Sequence, residues 1–355
     1  MTISAKPTPQ AIRQARIDNP KLRERDLAVQ LGITEADYAA AHVGESVTRI
    51  EPRVEELLPR LEALGEVMAL TRNDSAVHEK IGVYDKIVVD KHSAMALGAQ
   101  IDLRIFPKVW RHGFAVEKRG EDGEIRRSLQ FFDKSGDAVH KIHLRAASDL
   151  KAYDALVADF TAADQSQVVS TEPRPSEAAN DDRPAVDDDR LRARWSAMTD
   201  THQFVGILKD LGITRHEAVT AIGKDFAREL APGAVPAMMA RAVETELPIM
   251  VLVGSRGCIQ IHSGPIVNVK PMGPWLNVMD PTFHLHLRTD HIAQAWAVRK
   301  PTKDGHVTSI EAYDTNGSMI IQFFGKRMEG FAERPVWREI VESLPKHPAA
   351  NSSAA

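Results

Sequence analysis

Three histidines fall within nine residues in "FHLHLRTDH", residues 283–291, of a chain that has one cysteine. On a strand successive side chains alternate sides, so His284 and His286 share a face. An i, i+2 imidazole pair can hold a divalent ion when a third ligand and ring-orienting groups are at hand. The competing reading is the polar face of a half-exposed strand. His78-Glu79 in "AVHEKIG" poses a similar choice for an acid/base pair. Adjacent strand residues face opposite ways, which favours a solvated pair. His202, in "MTDTHQF", is expected in the first turn of a helix. There the positive end of the helix dipole disfavours imidazolium and leaves a neutral nitrogen able to bind a metal, although capping or packing is the commoner role.

Other chemical signatures are missing. The chain has no G-x-x-x-x-G-K-[ST], no G-x-G-x-x-G after a strand, no H-E-x-x-H and no G-x-S-x-G. "GSRG" at 254–257 has the residues of a tight hairpin turn rather than a phosphate loop. With a net charge of −4, the 355 residues carry no basic surplus, which argues against nucleic acid as a partner. No apolar run approaches the roughly 18 residues of a membrane span, and the polar N-terminus has no secretory h-region. Cys258 alone can form neither an intramolecular disulfide nor a thiolate cluster. A cytoplasmic protein without membrane insertion is expected.

The elements that carry these residues form two copies of one pattern. "LGIT" occurs at Leu31–Thr34 and again at Leu211–Thr214, and "VMALTRN" from Val67 matches "IMVLVGS" from Ile249. "DLRIFPKVWRHGFAVEK" from Asp102 matches "HLHLRTDHIAQAWAVRK" from His284 at the same offset of 182 residues, and "FFDKSGDAV" and "AYDTNGSMI" share a D-x-x-G turn one residue off it. Ordered landmarks at nearly constant spacing mean a tandem duplication. In the second copy, Phe204, Ile207, Leu208 and Leu211 have helical spacing, with Thr199 or Asp200 as cap and Gly212 as stop. After Leu247 come short runs rich in β-branched and aromatic residues, "IMVLVG", "CIQIHSG", "FHLHLR", "AQAWAVRK", "VTSIEAYD" and "MIIQFFGK", an antiparallel meander. The fold class is α+β, each half being helices followed by a large antiparallel sheet. The halves are drawn at 1–163 and 191–345, with a disordered Asp-, Ser- and Pro-rich linker at 164–190 and a disordered tail at 346–355. In this alignment His284 falls on Asp102, His286 on Arg104 and His202 on Leu22. Since the first-copy strand has no such ligands, no metal held directly by His284, His286 and His291 is expected.

"MTDTHQF", "DLRIFPKVWRHGFA", "LHLRTDHIAQAWAVRKPTKDGHVTSIEAYD" and "IIQFFGKR" together resemble the HemS/ChuS/PhuS family, cytoplasmic haem-binding proteins of bacterial haem uptake also called haemin-degrading factors. The resemblance covers the chain outside the linker and tails. It implies a haem b in a cleft between the halves, with His202 as proximal ligand to the iron and Arg104, from the other half, as the distal and, in an enzyme, catalytic residue. The implied wall is Met250, with Arg215, Lys300, Gln322, Phe324 and Arg327 toward the rim and edge. Such residues suit a flat apolar disc with two carboxylates. Gln203 and Phe204 stand where some members have further histidines, which argues against ligand switching within that helix. A second haem, described on the first half of some members, has His78 as its nearest candidate and is not carried over. The implied activity is oxidative ring opening that releases iron, with electrons from an external donor. The alternative is a pure carrier that takes haem from an importer and delivers it to a separate haem oxygenase.

Overall fold

The computed structural model describes residues 6–120, 122–174, 186–328 and 330–347. The chain divides into two compact units, one of residues 1–72, 78–175 and 254–260, the other of residues 73–77, 176–253 and 261–355. Each unit therefore includes a short segment from the other half of the sequence, which the continuous halves drawn from the sequence did not show.

In unit 1, helices α1 (Pro9–Asp18), α2 (Glu24–Gln30) and α3 (Glu35–Ala40) precede strand β1 (Val47–Ile50) and helix α4 (Val54–Leu57). Strands β2 (Val67–Arg72), β3 (Ala76–Gly82), β4 (Ile87–Val89), β5 (Ala94–Leu97), β6 (Asp102–Ile105), β7 (His112–Arg119), β8 (Ile125–Phe132) and β9 (Ala138–Leu144) follow, closed by α5 (Leu150–Phe160). An antiparallel ladder runs β1-β7-β8-β9-β2, and a smaller one runs β4-β5-β6. Leu57, Leu61, Leu129, Phe131, Ile142 and Leu156 lie in the core against which α4 and α5 pack.

Unit 2 repeats the plan. Helices α6 (Asp188–Ser196), α7 (Gln203–Leu211) and α8 (Arg215–Ala221) lead to β10 (Ala227–Leu230) and α9 (Ala234–Glu244). Strands β11 (Ile249–Gly254), β12 (Cys258–Gly264), β13 (Val269–Met272), β14 (Trp275–Met279), β15 (Phe283–Arg288), β16 (Gln294–Thr302), β17 (Gly305–Tyr313) and β18 (Met319–Gly325) follow, then α10 (Pro335–Ser343). Its ladders, β10-β16-β17-β18-β11 and β13-β14-β15, are again antiparallel.

The repeated residues do repeated work. Thr34 and Thr214 each cap a helix as half of a capping box, with Asp37 and Glu217 as the other half. Asp133 and Asp314 each open the hairpin turn into the next strand, with Gly136 and Gly317 at φ +80° and +76°, the left-handed region that glycine enters without strain. "GSRG" closes a hairpin as expected, Ser255 N donating to Cys258 O at 2.8 Å.

Three expectations change. The linker narrows from both sides, because 164–174 are pinned to unit 1 and α6 begins at Asp188. Arg49 donates to Asp164 at 2.9 Å, Gln167 donates to Val43 O at 2.8 Å, and Val169 is buried. Residues 175–185 lie outside the described residues. The tail is also tethered at its start, where Lys346 bridges Leu230; residues 348–355 lie outside the described residues. Finally, α7 starts at Gln203, with His202 itself in the cap position, because Asp200 and Thr199 turn back on the loop instead of opening the helix.

Candidate functional site

The register of four strands gathers much of the expected haem pocket on one face of unit 2. Met250 pairs with Phe324 and Leu252 with Gln322 across β11 and β18. Phe324 pairs in turn with Ser309 and Gln322 with Glu311 across β18 and β17, and these oppose Val298 and Trp296 on β16. Paired residues and their i±2 neighbours point the same way, so Met250, Gln322, Phe324, Glu311 and Lys300 share this face. Ile249, Val251, Ile310, Ile321 and Phe323 point the other way into the core with Met238, Met239 and Trp337. The core face is closed; Met250, Gln322 and Phe324 are only half-buried.

Glu311 is the polar centre of that face and was not anticipated from the sequence. Fully buried, it accepts from Lys300 Nζ at 2.7 Å, Ser309 Oγ at 2.9 Å, Tyr313 Oη at 2.6 Å and Arg215 Nη1 at 3.3 Å. Burial alone would raise its pKa, but the charges of Lys300 and Arg215 and the bonds from Lys300 and Tyr313 outweigh that and hold the carboxyl well below the usual range. Burial pulls the Lys300 amine down from its ordinary value, with Glu311 opposing. Lys300 thus departs from the expected rim cation: only 4 % exposed, it is spent on Glu311. Arg215, at the first position of α8 and 28 % exposed, keeps an accessible edge. Both cations lie 4.8 Å from the ring of Phe204, which stands edge-on to Trp195 at 4.8 Å.

Phe204 ties this cluster to His202, two residues before it. The His202 side chain is 94 % exposed, and its Nδ1 lies 2.7 Å from Asp200 Oδ1. A carboxylate oxygen can only accept, so Nδ1 donates, and in the neutral ring this leaves the lone pair on Nε2. Bonds from the His202 backbone and ring hold the Asp200 carboxyl below the usual range, and the charge of Arg327 adds to this. Arg327, just past β18, donates to Phe331 O at 3.4 Å. Gln322 Nε2 is buried without a hydrogen-bond partner among the described residues. A donor left in that state is costly unless an acceptor arrives.

Arg104 belongs to unit 1. It sits half-buried on β6, paired with Asp102 and donating to Leu103 O at 3.2 Å. The opening histidines alternate as a strand requires: Phe283, Leu285 and Leu287 are buried, and His284 and His286 half-buried. His286 Nδ1 lies 2.6 Å from Asn277 Oδ1, and His291 Nδ1 lies 3.0 Å from Ser75 Oγ. Among the described residues no group of three or more His, Cys, Asp or Glu could hold a metal ion. His78 corrects the solvated-pair reading, being fully buried on β3 while Glu79 faces the other side.

Unit 1 has a concavity of about 190 Å³ on its corresponding face, lined by Glu35, Lys118, Gln130 and Lys141 where unit 2 has Arg215, Lys300, Glu311 and Gln322. Its charges are matched internally, Lys118 with Glu24 at 2.6 Å and Lys141 with Glu35 at 3.0 Å. Leu22 occupies the position of His202.

Asp200 was read only as a helix cap, and Glu311 was not read at all, for different reasons. An Asp two residues before the His is also a turn signal, which could have placed its carboxylate against the ring. A carboxylate inside the apolar run "TSIEAY" shows its value only once Lys300, diagonally across on β16, reaches it.

Known proteins resemble this chain along most of its length. The family model described as the haemin-degrading HemS.ChuX domain matches twice, over residues 32–160 and 212–344. The hemin transport protein HemS of Yersinia enterocolitica is 38% identical over 332 residues, 93% of this chain and 95% of that protein. The holo form of PhuS, a heme-binding protein from Pseudomonas aeruginosa, is 42% identical and superposes with a TM-score of 0.91, covering 96% of this chain and 100% of that one. ChuS, an E. coli heme oxygenase, is 35% identical with a TM-score of 0.84, covering 93% and 98%.

Proposed function

The chain belongs to the HemS family, and from that membership we propose that it binds haem on the unit 2 face beside His202 and handles imported haem in the cytoplasm. Handling means passing the haem on, opening it oxidatively to release iron, or both. The observation that carries this reading is His202, whose Nδ1 is engaged by Asp200 at 2.7 Å while Nε2 stands open on an exposed side chain. Haem fits the neighbouring residues. Met250 and Phe324 offer half-buried apolar surface, Gln322 an unmatched donor, and Arg215 and Arg327 the forks that suit carboxylates. Lys300 acts from behind, neutralising Glu311 so that Arg215 is not wholly committed to it. The distal hydrogen-bonding role falls to Arg104.

Bound haem would supply the redox chemistry, and the protein the axial base, the apolar contacts and the charge that receives the propionates. The sequence has no flavin or nicotinamide fingerprint, so the reductant is external. A haem importer as donor and a haem oxygenase as acceptor are the partners of the carrier alternative. Titration with haemin, followed by ascorbate with catalase present, tests both. A Soret band that forms at one haem per chain and then decays to a bilin-like spectrum is expected of an enzyme, and Arg104→Ala should slow that decay with the band still formed. A persistent band identifies a carrier, and no band at all overturns haem binding.

A further inference from the structure

The turn that presents His202 is held by its own hydrogen bonds. Thr199 N and Asp200 N donate to Gln203 Oε1 at 2.9 and 3.3 Å, Gln203 Nε2 returns a bond to Thr199 Oγ1 at 3.3 Å, and Lys303 N donates to Thr199 O at 2.9 Å. Within this frame Asp200 Oδ1 accepts twice from His202, from its backbone N and from its ring Nδ1, both at 2.7 Å. An aspartate needed only to turn the chain would be satisfied by the backbone bond. The ring bond does something more.

We propose that Asp200 is a positioning residue for haem iron: it fixes the Nδ1–H tautomer of His202, aims Nε2 outward and strengthens the imidazole as a donor. A carboxylate behind a ligating histidine is a general device for orienting the ring and raising its basicity, and its loss costs about 10- to 100-fold in affinity or activity. The inference rests on His202 being the axial ligand. A more basic imidazole favours ferric over ferrous iron, so Asp200 biases the site toward holding oxidised haem.

The test combines the ligand-free protein with its haem complex. In the apo protein, nitrogen NMR of His202 should report the Nδ1–H tautomer, and Asp200→Ala should shift the population toward Nε2–H. In the complex, Asp200→Ala should weaken haemin binding about tenfold, lower the ferrous Fe–histidine stretching frequency and raise the midpoint potential. Asp200→Asn, which keeps a neutral acceptor, should restore the tautomer and give intermediate values. His202→Ala is the control that separates the two claims. An unchanged axial signature in His202→Ala overturns the ligand assignment and this inference with it. A lost signature in His202→Ala, with Asp200→Ala like wild type in tautomer, stretch and potential, overturns the role of Asp200 alone.

Discussion

At the scale of single residues, the site sets exposed or incompletely satisfied groups, His202 and Gln322, beside the buried and fully partnered Glu311. His202 packs against little, so His202→Ala should leave stability within about 0.5 kcal/mol of wild type while removing or reshaping the Soret band; denaturant titration beside the haemin spectrum checks both. Gln322 is the converse case, because its buried Nε2 finds no partner among the described residues. Gln322→Leu should stabilise the apo protein by about 1 kcal/mol and weaken haemin binding severalfold, since it removes a desolvated donor that only the ligand would satisfy. Loss of stability together with unchanged affinity would refute that role. For His284, His286 and His291, combined substitution by Gln should leave the metal content of apo protein unchanged and shift haemin affinity by at most about 1 kcal/mol. Elemental analysis of protein purified without chelator decides it. These histidines show how much the sequence could reveal: period-2 alternation placed His284 and His286 on their strand correctly, but neither Asn277 beneath His286 nor Ser75 beside His291, in the turn past the strand, could be read from spacing.

At the scale of elements, strands were legible where their apolar pattern was strong. The runs at 249–254, 258–264 and 283–288 coincide with β11, β12 and β15. By contrast β13 and β14 went unread, because "VKPM" is an exposed edge containing Pro271 and a tight turn joins it to "WLNVM". Cross-strand partnership was illegible for a deeper reason, since register is set by pairing between strands rather than within one. Lys300 therefore looked like a rim cation, whereas β16 and β17 bury it beside Glu311. This pair supplies an element-scale prediction. Glu311→Gln strands a buried ammonium and should cost about 3–5 kcal/mol, whereas joint replacement by Lys300→Met and Glu311→Leu should cost far less than the sum of the single changes. Urea unfolding of the two single variants and the double variant measures the coupling; additive losses would mean the pair is not a unit.

At the scale of the whole molecule, duplication explains why one half can carry the proposed ligand while the other keeps the same scaffold. Both copies retain the capping boxes, the D-x-x-G turns and the five-strand ladder. What diverged are side chains on one sheet face. The histidines diverged too. In unit 1 His140 is buried between Tyr84 Oη at 2.5 Å and Thr71 Oγ1 at 2.8 Å, with Thr71 donating in turn to Cys258 Sγ at 3.5 Å. Burial pulls the His140 pKa down to about 3 and pushes the Cys258 thiol up to about 12, so both are neutral at physiological pH and neither is poised for chemistry. An imidazole kept neutral in the fold but free to ionise in the unfolded chain makes stability depend on pH. Above its ordinary value near 6.5 nothing is lost. As the pH falls from there toward about 3, the unfolded state alone takes up the proton, and stability drops by about 1.4 kcal/mol per pH unit from this group. His140→Gln should lower stability at pH 7 by disturbing a packed site, yet flatten the decline between pH 6.5 and 4 by that same slope. Denaturant midpoints across this range, for wild type and variant, provide the check. Parallel curves would show that His140 already shares its proton with solvent in the folded protein.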